Sequence, residues 1–448
     1  MDYEINKAKY LTVVGHIQSG KTNEEINYCW SSIKNYHLPV IFVVRNITAD
    51  QLQLRDRFNK SGLNLLVKTL KNISIEDAVS YLEHNSVIIL LCNEYQLEKM
   101  VNVLKIYRGE YNLCIDEVDF SIKSKLKVSK IDIQLSKLKE CANHILGATA
   151  TPFAVFCTEK SLSKIKKMKP GKNYHGIESL KINFLENCNK SDFPYSDTFN
   201  ISEIYNSCLS KESCVLLHTV VKEKSKMNKL FEYLGDIFPT FTYIIYNGDG
   251  IKVRCDDRPE GPLTKPKSLN DYNQLINNYR YTDNYHYFEN YSISEVLQLL
   301  VDDIYEHKHI SIISGQLASR GISFVSSDYS LHLTDQYLDP GKHAHGETLL
   351  QSLRILGCYK EQSLLNLWCS ERTWENIINY SNIMNKIVNN IDDDHNWLVK
   401  IKNVNISKPN SPLTRPRLLH GTKFNTVKNE NQYNIDIDFL DESESEEE

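Results

Sequence analysis

The stretch GHIQSGKT, residues 15–22, sets two glycines five apart and follows them with Lys21 and Thr22. Residues of these types at this spacing can hold phosphate. Gly15 permits a tight turn, and backbone N–H groups of a loop through Gln18, Ser19 and Gly20 converge on anionic oxygens at the N-terminus of the following helix. The Lys21 ammonium adds positive charge at the β- and γ-phosphates, and the Thr22 hydroxyl is placed to hold Mg²⁺. YLTVV leads into the loop as a strand, and TNEEINYCWSSIKN leads out as a helix-compatible run.

Hydrolysis of a bound triphosphate also needs an acid at the end of a neighbouring strand. YNLCIDEVDF, residues 111–120, supplies one. Asp116 closes an apolar strand and is the second candidate Mg²⁺ ligand, while Glu117 is placed to orient and deprotonate a water. LGATATP, residues 146–152, follows. Its small hydroxyl residues can hydrogen-bond the metal-binding acid and relay the state of the phosphate.

The elements that must position these groups are short apolar runs alternating with amphipathic stretches. YLTVV (10–14), PVIFVV (39–44), SVIILLC (86–92) and YNLCID (111–116) read as buried strands. A second set is SCVLLHTVV (213–221), FTYIIYN (241–247), HISIISG (309–315) and SLHLTD (330–335). The pattern predicts two tandem α/β lobes with parallel sheets. Expected boundaries are 1–158 for the first lobe, 159–200 for a basic linker, 201–400 for the second lobe and 401–448 for a polar tail.

A chain of 448 residues exceeds one ordinary core. Its 41% hydrophobic and 24% charged residues are those of a globular protein. No apolar run reaches membrane-spanning length and the N-terminus lacks the order of a secretory signal, so an intracellular site and no membrane partner are expected. The eleven cysteines include no CxxC pair, so they read as small buried hydrophobes and a structural zinc is not expected. Part of the net charge of −5 lies in DESESEEE, residues 441–448, an acidic run expected to be disordered and to dock a protein partner.

GHIQSGKT, DEVD and GATATP in this order resemble the first lobe of a superfamily 2 helicase, and two later stretches continue the likeness. SGQLASRGISF (314–324) resembles that family's motif V, and ETLLQSLRILG (347–357) resembles its motif VI. The spelling is similar to a divergent branch found in bacteria, phages and large DNA viruses, and the compact layout fits a viral or phage origin. The resemblance implies two RecA-like lobes of the P-loop NTPase type, with ATP and Mg²⁺ as cofactors. It further implies that Gln351 and Arg354 face a nucleotide held by the first lobe, with Arg320 a second candidate and Lys360 a fallback. The commoner family form carries arginines where Ile355 and Cys358 stand, and Ser323 replaces the acid that usually ends motif V. Preference for ATP is likewise implied by the resemblance alone, since nothing before Tyr10 could hold an adenine-reading element.

Motors of this family bind a polynucleotide, here DNA in preference to RNA, through its backbone. Candidate contacts are Arg45 with Asn46, Asn93 with Glu94, Thr149, and the stretch His218, Thr219 and Val220, at strand ends where open α/β sheets present ligands. Turn residues capping helices are the competing reading for the first two pairs. The lysine-rich segment 160–172 suits phosphate contact or a solvated surface. The tyrosine-rich segment 272–291, with Arg280 and His286, suits base stacking or aromatic packing. The resulting expectation is an ATP-dependent helicase or translocase. The alternatives are a helicase-fold scaffold inside a larger complex and a translocase that never separates strands.

Overall fold

The computed structural model describes residues 9–118, 129–152, 164–185, 198–219, 223–256, 279–282, 285–303, 305–315, 321–338, 346–359 and 364–389, with a few isolated positions besides. Arg320, Lys360, Val220, the 272–278 part of the tyrosine-rich segment and the acidic run 441–448 lie outside the described residues. Two compact units divide the chain, chiefly before and after Pro170.

The first unit runs β1 (Tyr10–Val14), α1 (Lys21–Asn35), β2 (Val40–Val44), α2 (Thr48–Lys60), β3 (Val67–Thr69), α3 (Ile75–Glu83), β4 (Val87–Leu91), α4 (Glu94–Tyr107), β5 (Asn112–Ile115), α5 (Lys130–Cys141), β6 (His144–Thr149) and β7 (Lys164–Lys167). The sheet order is β3-β4-β2-β5-β6-β1-β7, and every pairing is parallel. Strands β1, β2, β4, β5 and β6 are buried along their whole length, which explains their near-continuous apolar sequences. On one face, Leu11, Val13, Phe42, Val44, Ile89, Cys114 and Leu146 pack against Ile26, Tyr28, Cys29 and Ile33 of α1 and Leu54 and Phe58 of α2. Removing a ring such as Phe42 from this layer would cost about 3–5 kcal/mol.

The second unit contains β8 (Tyr174–His175), β9 (Leu180–Phe184), α6 (Thr198–Leu209), β10 (Cys214–Thr219), α7 (Lys224–Ile237), β11 (Thr242–Asn247), β12 (Gly250–Arg254), β13 (Tyr279–Thr282), β14 (Tyr285–Phe288), α8 (Ile293–Val301), β15 (His309–Ser314), β16 (Asp335–Leu338), α9 (Gly346–Gln351) from Thr348 onward, β17 (Gly357–Cys358), β18 (Leu365–Cys369) and the start of α10 (Glu371–Asn389). Its sheet order is β13-β14-β12-β11-β15-β10-β16-β18-β9. From β11 to β9 the pairings are parallel, whereas β12, β14 and β13 add an antiparallel extension. The cause is local: Gly248 and Asp249 alone join β11 to β12, and a two-residue connection can link only antiparallel neighbours. Gly250, at φ +110°, completes the turn with a backbone conformation that L side chains rarely adopt.

The strand expected at 330–335 lies instead at Asp335–Leu338. Long-range bonds fix it there, because the fully buried Asp335 accepts from Lys211 Nζ at 2.7 Å and Trp368 Nε1 at 3.0 Å, with its neighbour Thr334 Oγ1 donating at 2.9 Å. The segment 159–200 contributes to both sheets, with Lys164–Lys167 on the edge of the first and Leu180–Phe184 on the edge of the second. Among the described residues, no helix is long and apolar enough to cross a membrane.

Candidate functional site

The loop between β1 and α1 is wound around one carbonyl. His16 O accepts from Ser19 N at 3.3 Å, Ser19 Oγ at 2.8 Å and Lys21 Nζ at 2.9 Å. Gln18 and Gly20 both have left-handed backbone, at φ 53° and 92°, and Gly20 caps α1. Gly15 has no room for a side chain, since a Cβ there would lie 2.9 Å from Ser19 Oγ. Its N–H donates to Thr149 O at 3.2 Å, which ties the loop to the end of β6. Lys21 is only 8% exposed. An ammonium so withdrawn from water at the mouth of a phosphate-type loop is suited to an anionic ligand.

Asp116 and Glu117 follow β5 directly, and Asp116 N extends the ladder to Val43 O at 3.1 Å. Glu117 has φ 49°, a conformation a non-glycine residue adopts at some cost and one that re-aims its side chain. Val118 packs on Gly147 so closely that a Cβ there would sit 3.1 Å from Val118 Cγ1, so the glycine of GATATP admits DEVD. Thr149 is fully buried, and its Oγ1 accepts from Thr151 N at 3.0 Å.

Electrostatics separate these acids from ordinary surface carboxylates. Loss of water raises the Asp116 pKa to about 7, the charges of Glu117 and Asp50 push the same way, and Arg45 and Lys21 oppose them. Glu25, one turn beyond Lys21 on α1, is fully buried. Its pKa lies well above the usual carboxylate range, first through burial and then through the charge of Asp116, with Lys21 pulling it down. Sequence reading missed Glu25, and the only signal for it was its i+4 spacing from Lys21.

Neighbouring side chains are already engaged. Thr22 Oγ1 accepts from Arg57 Nη1 at 2.7 Å. Arg45 forms a bidentate pair with Asp50, Nε to Oδ2 at 2.7 Å and Nη2 to Oδ1 at 2.8 Å. Asn93 caps α4, its Oδ1 accepting from Gln96 N at 2.9 Å, and its Nδ2 donates to Asn46 Oδ1. Lys166 of the lysine-rich segment meets Glu24 at 2.7 Å.

In the second unit, Thr219 Oγ1 donates to Tyr337 O at 2.9 Å and accepts from Gln336 Nε2 at 3.0 Å. Gln336 also holds the motif VI stretch, donating to Ser352 O at 2.6 Å and accepting from Ile355 N at 3.1 Å. Gln351 and Arg354 are buried, and Arg354 donates to Ile322 O at 3.4 Å and to Gln351 O. His218 is buried, with Nε2 3.0 Å from the Tyr205 hydroxyl. In the tyrosine-rich segment, Lys252 Nζ stands 3.9 Å from the centroid of Tyr285, and Tyr285 donates to Glu232 at 2.6 Å.

The loop and acids fit a metal-bound nucleoside triphosphate. The glycines leave the space, Lys21 supplies the charge, and Thr22 and Asp116 offer hard oxygen donors of the kind Mg²⁺ takes.

No family model matches the sequence, and no curated protein matches it. Solved structures match in fold. S. cerevisiae Dbp5 bound to RNA and ADP BeF3 superimposes with a TM-score of 0.51 at 12% identity, covering 86% of this chain and 85% of that one. A point variant of the same protein, also bound to RNA and ADP BeF3, gives 0.50 with the same identity and coverage. At such identity the likeness shows the fold, two tandem RecA-like lobes.

Proposed function

We propose that this chain is an ATP-dependent nucleic-acid helicase or translocase whose nucleotide is gripped by the first lobe. One observation carries the reading: the strand–loop–helix cradle with Lys21 and Thr22 shares a lobe with Asp116 and Glu117, and the Lys21 ammonium acts electrostatically on Asp116. Lys21 exchanges the His16 carbonyl for phosphate oxygens. Thr22 and Asp116 would hold Mg²⁺, with Arg57 giving up the Thr22 hydroxyl. When bound, that cation neutralises charge on the transferred phosphoryl group. Glu117 orients the attacking water and takes its proton. Gln351, Arg354 and Arg320 are the second lobe's share in turnover.

Both solved neighbours hold RNA and a nucleotide, which supports a polynucleotide partner for this fold. On this reading Arg45, Asn93, Thr149 and Thr219, at or just beyond strand ends, mark the polynucleotide side of each sheet. A strand-displacement assay on DNA and on RNA, run beside a triplex-displacement assay, tests the motor. Displacement of either kind that needs ATP supports it. ATP-independent binding with no displacement would favour a scaffold.

A further inference from the structure

Helix α1 lies along β5 in a regular register. Asn112 Nδ2 donates to Ser32 Oγ at 2.8 Å. One turn toward the helix N-terminus, Cys29 and Cys114 are both buried in the same packed cluster between helix and sheet. Strand alternation puts Asn112, Cys114 and Asp116 on the same face of the sheet, and helical spacing puts Ser32, Cys29, Glu25 and Lys21 on one stripe. The next step of the register therefore brings Glu25 level with Asp116.

Glu25 is 0% exposed, and neither of its carboxyl oxygens has a hydrogen-bond partner. Its electrostatic neighbours are Asp116, Lys21, Cys29 and Glu117. Arg45, the other cation acting on Asp116, is closed on Asp50 at 2.7 Å. Glu25, Asp116 and Glu117 thus share the neighbourhood of the Lys21 ammonium. Buried carboxyls elsewhere are paired, hydrogen-bonded or bound to metal. Hydrophobic packing does not account for Glu25 either, because a leucine or methionine would fill the same space without an orphaned acid.

We propose that Glu25 and Asp116 form a two-carboxylate floor that binds a divalent cation before any nucleotide arrives. The inference rests on the assignment of Asp116 as a cation ligand and adds to it a second acid and an order of loading. Glu25 is a positioning residue in this arrangement, holding the cation or its water beside Asp116 and beneath the phosphate cradle. Hard carboxylate oxygens select Mg²⁺ or Mn²⁺ over softer ions.

The test uses the nucleotide-free full chain and Mn²⁺, with free Mn²⁺ followed by its electron paramagnetic resonance signal. The wild type is expected to bind one Mn²⁺, and Glu25→Gln to bind it about 10- to 100-fold more weakly, the range seen when groups supporting a metal site are removed. Binding of a fluorescent ATP analogue in EDTA should differ less than twofold between the two proteins. Equal Mn²⁺ affinity in both, or no Mn²⁺ bound by the wild type, overturns the proposal while leaving the nucleotide reading intact. Absence of analogue binding by the wild type both in EDTA and with excess Mg²⁺ would instead strike the nucleotide reading. Should Glu25→Gln fail to unfold cooperatively, Glu25→Asp decides. Its shorter arm weakens Mn²⁺ binding if Glu25 supports the cation and leaves it unchanged if the role is packing alone.

Discussion

Arg57 Nη1 donates to Thr22 Oγ1 at 2.7 Å, so the hydroxyl assigned to the cation is held by a guanidinium from α2. A cation must displace that bond, which is worth about 1.5–3 kcal/mol because the donor is charged. Arg57→Gln should therefore lower the Mg²⁺ concentration that half-saturates nucleotide binding by roughly 10- to 100-fold. A Mg²⁺ titration with a fluorescent analogue reads this directly. Loss of nucleotide binding at every Mg²⁺ concentration would make Arg57 a phosphate ligand instead.

Glu117 stands in left-handed backbone at φ 49° just beyond β5, and its proposed task is proton abstraction. Glu117→Gln should leave nucleotide affinity within about threefold and reduce turnover by about 10²–10⁴, the usual span for a lost general base. Binding and single-turnover hydrolysis measured on one preparation separate the two effects. Normal turnover would remove the assignment.

The Arg45–Asp50 pair is buried, with side chains 9% and 6% exposed. Arg45→Ala leaves an uncompensated buried carboxylate and should destabilise the first unit by about 3–5 kcal/mol. The double variant Arg45→Ala with Asp50→Ala should recover part of that loss in chemical denaturation. If Arg45→Ala unfolds like the wild type but binds polynucleotide poorly, the arginine serves the ligand rather than the lobe.

His218 is buried, and burial lowers its pKa from 6.5 to about 3. The unfolded chain takes up this proton below about pH 6.5, and the folded chain does not until about pH 3. This contribution is therefore fully present above pH 6.5 and is lost as the pH falls, at about 1.4 kcal/mol per pH unit. Unfolding of the wild type and His218→Phe between pH 7 and 5 should differ in slope by about one proton. Parallel slopes would show that His218 ionises in the folded protein.

Much of the first lobe was legible because its strands are buried on both faces and so spell continuous apolar runs, as in YLTVV and VIILL. The phosphate loop was legible because turn, cradle and helix start are all local. Partnership was not. Asp335 takes Lys211 and Trp368 as partners from far along the chain, and this moved a strand that propensity had placed five residues earlier. Arg45 and Asn93 were read either as ligand-facing residues or as turn residues capping helices, and Asn93 does cap α4, but the specific bonds to Asp50 and Asn46 follow from how the chain closes on itself. The antiparallel extension had a signal in Asn247-Gly248-Asp249-Gly250, a hairpin spelling the sequence reading passed over.

The most direct test of the central claim is ATP hydrolysis by wild type and Lys21→Ala, measured with single-stranded DNA, duplex DNA and RNA in turn. Mg²⁺-dependent turnover is expected to rise by about tenfold or more with at least one polynucleotide and to vanish in Lys21→Ala, which lacks the ammonium that binds the phosphates. Wild-type hydrolysis no faster than that of Lys21→Ala with every polymer would contradict that claim.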